Sequence, residues 1–114
     1  MNKYNAKKTT LDGITFDSRL EANRYCELMM LQRAGEIQQL TLQPKFTLQD
    51  GFKKNGKTYR PITYIADFMY FDNVSRKWIV EDAKGVETEV FKIKRKLFER
   101  KYDNYEIKEI KKGK

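Results

Sequence analysis

Two stretches of the chain place apolar residues at helical spacing. Residues 16–34 carry them on one broad arc, which predicts an amphipathic helix. Ser18 followed by Glu21 fits a capping box that starts this helix, and Gly35 is a suitable stop. Residues 87–102 predict a second helix, again with apolar residues near one face.

Short runs between and after these helices alternate apolar and polar residues, as half-buried β-strands do. Asn55-Gly56 is the residue pair of a type I′ hairpin turn. The predicted order of helix, three strands, helix, strand indicates an α/β or α+β fold with a mixed sheet. We expect one domain over residues 1–114, with flexible basic ends at 1–8 and 111–114.

Composition narrows the chemistry that the chain can perform. Its 114 residues hold 24 Lys and Arg against 16 Asp and Glu, a net charge of +8 that favours nucleic acid as partner. The alternatives are an anionic membrane, an acidic protein, or a charge that only keeps the chain soluble. There is no histidine, which excludes histidine-liganded zinc, histidine bases and Ser-His-Asp triads. Catalysis would have to use carboxylates, lysine, tyrosine or a metal held by oxygen.

Nothing in the sequence predicts a membrane protein or a secreted one. No apolar run is long enough to span a bilayer, and the N-terminus lacks the apolar region of a signal peptide. The single cysteine, Cys26, lies in a helical apolar stretch, and we expect it to pack as a small hydrophobe in a reducing cytosol. A cytoplasmic location follows as an expectation.

The most informative charges end the strand predicted at 77–84. Because side chains alternate along a strand, Asp82 and Lys84 share one face. Asp67 is flanked by apolar residues on the preceding strand, and a turn at 72–73 would make the two strands an antiparallel pair. Asp67 would then lie near Asp82 and Lys84. Two converging carboxylates repel each other, and a divalent cation, a proton or a cationic side chain relieves such repulsion. Among cations, hard oxygen ligands of this kind suit Mg²⁺ or Mn²⁺.

A third acid, Glu21, lies at the centre of the apolar arc of the first helix. Its carboxylate points either toward a cleft beside the core or back to its own helix terminus as half of the capping box, and the pattern does not decide. Taken singly, Asp67 also fits a solvent-facing edge acid, and Asp82 with Lys84 fits a surface ion pair. Together the acids and the lysine are more specific than any one of them.

Asp67 followed by Asp82-Ala83-Lys84 resembles the signature of the PD-(D/E)xK nuclease superfamily. Upstream, SRLEANRYCELMMLQRAGEI followed by LQPKF is similar to the first helix and the Gln-Pro segment of a small phage-borne group, domain of unknown function 1064. The resemblance runs from about residue 12 to residue 110. The predicted order of elements is also that of the superfamily's restriction-endonuclease-like core.

The resemblance implies a metal site with defined ligands. An Mg²⁺ or Mn²⁺ ion would be held by Glu21, Asp67 and Asp82, together with the carbonyl oxygen of Ala83, and Lys84 would be the catalytic lysine.

The chain departs from this signature at one position, and one of the ligands has an alternative. Ala66 stands where the superfamily loosely keeps a proline. Glu81 is an alternative to Asp82, but on a regular strand it would point away from Lys84, so Asp82 is preferred. By the same resemblance Gln43 borders the active cleft, with no assigned role.

Two basic surfaces are candidates for holding DNA, although each also fits an ordinary solvated face. Aromatic residues near the second surface suit stacking on exposed bases, and more commonly core or cross-strand packing. No base-reading motif is present, so we expect recognition of DNA structure or backbone. The surfaces are the polar face of the second helix (Lys92, Arg95, Lys96) and the hairpin tip (Lys53, Lys54, Lys57, Arg60), with Phe52, Tyr59 and Tyr64 as the aromatics.

The function expected from these features is metal-dependent endonucleolytic cleavage of DNA. The resemblance adds a phage origin, a role in recombination, replication or repair, and branched DNA such as a Holliday junction as a substrate. It also suggests a homodimer, because small relatives resolve junctions as dimers. The alternatives are an inactive nuclease-fold module that only binds DNA, and a phage accessory protein that binds a host protein.

Overall fold

The computed structural model describes residues 8–83 and 87–110. Over these residues the chain forms two helices and ten short strands. In chain order these are β1 (Thr9–Leu11), β2 (Ile14–Phe16), α1 (Arg19–Arg33), β3 (Ile37–Leu42), β4 (Lys45–Gln49), β5 (Phe52–Lys54), β6 (Lys57–Tyr59), β7 (Ile62–Ile65), β8 (Phe68–Asp72), β9 (Lys77–Ala83), α2 (Glu89–Lys101) and β10 (Tyr105–Ile110).

Both helices start at side-chain caps. The Ser18 hydroxyl accepts a hydrogen bond from the backbone N–H of Glu21 at 3.1 Å, which confirms the predicted start of α1. The Thr88 hydroxyl caps α2 in the same way, accepting from the N–H of Phe91 at 3.0 Å. Cys26 of α1 is exposed, so its predicted core position is wrong: it lies on the helix face that turns away from the sheet.

A four-stranded sheet in the order β10-β9-β8-β3 forms the centre of the fold. β8 pairs with β9 and with β3 in antiparallel fashion, whereas β10 runs parallel to β9, so the predicted mixed sheet is confirmed. Phe68 lies opposite Glu81 in the β8–β9 register. The predicted antiparallel pairing that brings Asp67 toward Asp82 is therefore present.

The two helices cover opposite faces of this sheet. Ile79 of β9 packs in a cluster with Tyr25 and Leu28 of α1, whereas its neighbour Val80 packs with Phe91 and Phe98 of α2. This alternation follows from the pleat of the strand, which turns successive side chains to opposite faces. Odd-numbered β9 side chains therefore face α1, and even-numbered ones, Asp82 included, face α2.

A second, two-stranded sheet of β4 and β7 leads away from the central sheet and ends in a hairpin. We call residues 51–60 the arm: β5 and β6 pair there with each other in antiparallel register. Asn55 and Gly56 have φ angles of 52° and 75°, the left-handed backbone of a type I′ turn, which confirms the predicted hairpin.

The mixed α/β class predicted from the sequence is confirmed, and the strands are more finely divided than expected. Seven strands lie between the helices, of which β3, β8 and β9 join the central sheet. The chain turns at Gln43-Pro44 and again at Ala66-Asp67, where neighbouring strands change sheets. Apart from Lys8, the ends predicted to be flexible lie outside the described residues, and none of the described helices is long and apolar enough to cross a membrane.

Candidate active site

A cavity of about 160 Å³ lies between β2, the first turn of α1 and the junctions that follow β3 and precede β8. Glu21, Gln43 and Asp67 line it, together with apolar side chains such as Phe68. Three residues singled out from the sequence, far apart in the chain, therefore meet at one place at the edge of the sheet.

Glu21 and Asp67 form a close carboxyl pair within this cavity. Burial, then the charge of Asp67 and a hydrogen bond between the two side chains, together raise the pKa of Glu21 from 4.5 to about 8. The charge of Asp17 adds to the rise in pKa, while a hydrogen bond from the Asp17 backbone opposes it. Glu21 therefore holds a proton at neutral pH.

The two readings of Glu21 left open by the sequence turn out to apply to different parts of the residue. Its backbone N–H makes the capping bond to Ser18, and its carboxyl faces Asp67. Helix capping and a place in the cleft are compatible because the main chain does one and the side chain does the other.

Asp67 is held in position by backbone hydrogen bonds from three directions. The N–H of Ala83 donates to Asp67 Oδ2 at 2.6 Å, the N–H of Asp67 donates to the carbonyl of Glu81 at 3.0 Å, and the N–H of Gln43 donates to the carbonyl of Asp67 at 2.9 Å. Gln43 has a φ of 50°, a left-handed conformation that is strained for a non-glycine residue and concentrates at functional sites.

Asp82 directly precedes Ala83, whose N–H binds the Asp67 carboxylate. The Asp82 side chain is buried and accepts a hydrogen bond from the Tyr64 hydroxyl. The pKa of Tyr64 is raised by burial, then by its bond to Asp82 and the charge of Asp82, and also by the charge of Asp67. Asp67 thus acts electrostatically on Glu21 and on the Tyr64–Asp82 pair. Because Tyr64 is buried in the core, it cannot stack on bases.

Two carboxyls, those of Glu21 and Asp67, are close enough to bind one cation, whereas three had been expected from the sequence. Among residues 8–83 and 87–110, no group of three or more Asp, Glu, His or Cys side chains is placed to hold one ion. Mg²⁺ is commonly bound by one or two carboxylates with substrate phosphate and water completing its shell, so Glu21 and Asp67 can suffice. Lys84, the predicted catalytic lysine, lies outside the described residues, and Ala83 beside it is tied to Asp67.

Glu81, the alternative to Asp82, is occupied elsewhere. It is fully buried on the α1 face, where Arg24 donates to its two carboxylate oxygens at 2.8 and 2.6 Å and the Tyr70 hydroxyl donates at 2.5 Å. The sequence did not predict a role for Arg24, or the hydrogen bond of Tyr64 to Asp82. For Arg24 a signal existed, since an arginine on the apolar arc of a helix needs a buried partner.

The whole chain, residues 1–114, matches the family described as Protein of unknown function (DUF1064). The chain belongs to this family. No curated protein and no solved structure matches it. The family resemblance carried by the first helix and the Gln-Pro segment is therefore confirmed for DUF1064, and the wider nuclease superfamily stays a prediction.

The two basic surfaces of this DUF1064 protein differ in how far acids neutralise them. On α2, Arg95 lies 2.5 Å from Glu109 and 3.8 Å from both Glu87 and Glu99, and Lys92 lies 3.3 Å from Glu89. On the arm the cations are exposed, and the segment from 51 to 66 contains no acidic residue. The arm is therefore the less neutralised of the two basic surfaces.

Proposed function

We propose that this protein is a metal-dependent endonuclease that hydrolyses DNA phosphodiester bonds and has a restriction-endonuclease-like core. The observation that carries the proposal is the cavity in which Glu21 and Asp67 bring their carboxyls within hydrogen-bonding reach. Asp67 is also bound by the backbone of Ala83, the residue after the buried Asp82. Close carboxyls in a cleft are costly unless a proton or a cation joins them, and such pairs recur at catalytic sites.

The donor set fits Mg²⁺ or Mn²⁺. Glu21 and Asp67 are hard oxygen donors. The pKa of Glu21 is raised by burial first and then by the charge of Asp67, and a divalent cation would offset both effects once the proton leaves. When bound, such a cation would polarise the scissile phosphate and stabilise charge on the leaving oxygen.

The chain's own residues would divide the remaining work. Tyr64 orients Asp82, and the backbone of Ala83 orients Asp67, so that the acids keep fixed positions around the cleft. Lys84, which follows directly in the sequence, would orient or deprotonate the attacking water, as the superfamily resemblance implies. The net charge of +8 would draw the DNA backbone toward the acids.

The decisive change is Asp67→Asn, assayed by nicking of supercoiled plasmid DNA in Mg²⁺ and in Mn²⁺. We expect cleavage to fall by about 10²-fold or more, because a ligand and a charge are lost together. DNA binding should persist or tighten, since the variant removes negative charge near the phosphate. Asp103→Asn, at an exposed position after α2, is the matched control and should cleave normally.

The outcomes separate the competing functions. If the wild type binds DNA but cleaves no faster than Asp67→Asn and Lys84→Ala with either metal, the chain is an inactive DNA-binding module. An accessory protein that binds a host protein would show no salt-sensitive affinity for DNA. A panel of linear, nicked, forked and four-way DNA then identifies the substrate, and sedimentation during binding tests the proposed homodimer.

A further inference from the structure

The arm carries two large aromatic side chains that the core does not use. Phe52 and Tyr59 lie directly opposite each other in the β5–β6 register, and their rings stack with centroids 4.7 Å apart and planes 11° from parallel. The two residues remain 46% and 38% exposed. Cross-strand stacking covers one face of each ring, and the exposed part of the pair, above all that of Phe52, is available to a planar partner.

Positive charge surrounds this ring pair. Residues 51–60 contain four cations and no acid, so this short segment carries +4 of the net charge of +8. Lys57 lies over the Tyr59 ring at 5.1 Å from its centroid. Cations beside exposed aromatic faces suit a ligand that is both anionic and planar, which is the combination of phosphate and base in nucleic acid.

The base of the arm is built to hold its direction. A Cβ added at Gly51 would lie 3.0 Å from the carbonyl oxygen of Tyr59 and 3.1 Å from Pro61 Cδ, so a side chain there would force these neighbours to move apart by a few tenths of an ångström. Pro61 fixes its own φ angle. At most about 28 Å of extended chain separates Tyr59 from Asp67, less than one turn of duplex DNA.

We propose that the arm recognises unpaired bases in DNA, with the Phe52–Tyr59 pair as a stacking platform and the surrounding cations on the flanking phosphates. An intact duplex buries its base faces, whereas gaps, forks and junction centres expose them, so the platform selects DNA with unpaired bases. The inference rests on the proposed function in one respect: DNA is the ligand. It deepens that function by naming the substrate class.

The test measures binding in EDTA, where cleavage cannot occur. Two labelled oligonucleotides are compared, a blunt duplex and the same duplex with a short single-stranded gap that contains 2-aminopurine. We expect the wild type to bind the gapped DNA about tenfold more tightly and to change the 2-aminopurine fluorescence, as stacking does. Phe52→Leu/Tyr59→Leu should bind both DNAs alike and leave the fluorescence unchanged.

Two further variants keep the result interpretable. Tyr59→Phe retains the ring and should retain the preference for gapped DNA. Lys53→Gln/Lys54→Gln/Lys57→Gln should weaken binding to both DNAs and reduce the slope of log K against log salt. The preference for gapped DNA should remain. A cooperative thermal transition like that of the wild type establishes that each variant is folded.

The proposal is overturned if the wild type shows no preference for gapped DNA, or if the leucine double variant keeps that preference. Because the assay needs no metal, its result is independent of nuclease activity. A preference for gapped DNA without any cleavage would contradict the proposed nuclease activity and support the stacking platform. Cleavage without that preference would contradict the platform and support the nuclease activity.

Discussion

Glu21 illustrates how one residue can serve both the helix and the site. An acid in the first turn of a helix interacts favourably with the helix dipole, which lowers its pKa. Here burial and the neighbouring Asp67 carboxylate outweigh that effect and raise the pKa of Glu21 to about 8. The residue is therefore poised to lose its proton when a competing positive charge arrives.

This raised pKa makes stability depend on pH. A carboxyl whose pKa rises on folding binds its proton more tightly in the folded state, so its contribution to stability is complete below its unfolded pKa of 4.5 and is lost as the pH rises through about 8. We expect the melting temperature of the wild type to fall between about pH 5 and pH 9 by a few degrees more than that of Glu21→Gln. Differential scanning fluorimetry across this pH range measures both melting temperatures.

The control for that experiment is Glu36→Gln, at an exposed position after α1. It should follow the wild-type pH profile. Parallel profiles for the wild type and Glu21→Gln would contradict the assignment of the pH dependence to Glu21.

The Tyr64 hydroxyl gives a second prediction at this scale. Tyr64→Phe deprives the buried Asp82 carboxylate of one donor, and we expect a loss of about 1–3 kcal/mol in the free energy of unfolding. Urea titration measures this loss. Cleavage should fall as well, because Asp82 is no longer oriented. Tyr59→Phe, which removes a hydroxyl from an exposed ring, should change neither quantity.

Among the elements, α1 and β9 are joined by a buried ion pair as well as by apolar packing. Arg24 lies one helical turn after Glu21, and its partner Glu81 directly precedes Asp82. The pair therefore fixes the helix that carries one site acid against the strand that carries another. Buried ion pairs are weak contributors to net stability, so orientation is the better account of this one.

A double-mutant cycle tests the link between the two elements. Arg24→Met alone leaves Glu81 buried without its cationic partner, and we expect it to cost about 3–5 kcal/mol of unfolding free energy. Arg24→Met/Glu81→Met should recover much of that loss, because no charge is left in the core. Guanidinium titrations supply all four free energies, and additive losses would argue against coupling.

At the scale of the whole molecule, charge is unevenly distributed. The arm concentrates cations without acids, whereas α2 interleaves its cations with Glu89 and Glu99, and Arg95 also contacts Glu109 from β10. Equal numbers of basic residues on the two surfaces should therefore contribute unequally to DNA affinity, because cations already paired with carboxylates release fewer counterions.

This asymmetry predicts the outcome of two matched charge removals. Lys53→Gln/Lys54→Gln/Lys57→Gln on the arm should weaken DNA binding and reduce the slope of log K against log salt more than Lys92→Gln/Arg95→Gln/Lys96→Gln on α2. Fluorescence anisotropy over a series of salt concentrations measures both. Equal slopes for the two variants would show that the acids near α2 do not matter.

Local features could be predicted where the residues that determine them are close together in the sequence. The start of α1 follows from Ser18, the arm hairpin from Asn55-Gly56, and the alternation of β9 from the strand pleat. The position of Cys26 was mispredicted, because an apolar neighbourhood in sequence does not determine which face of a helix meets the sheet. The division of 37–72 into six strands depends in part on the turn at Ala66-Asp67, which only the sheet pairing reveals.

By itself the sequence determined which residues could take part in chemistry and that a mixed α/β fold would hold them, because residue type, spacing and strand alternation are local properties. Tertiary structure alone decided which of those residues meet. In the folded chain the Glu21 carboxyl contacts Asp67, Tyr64 donates a hydrogen bond to Asp82, and Arg24 binds Glu81. Each contact joins residues from different elements, so it depends on how those elements pack. Burial and proximity also set the charge state of Glu21, and neither can be read from a linear order of residues.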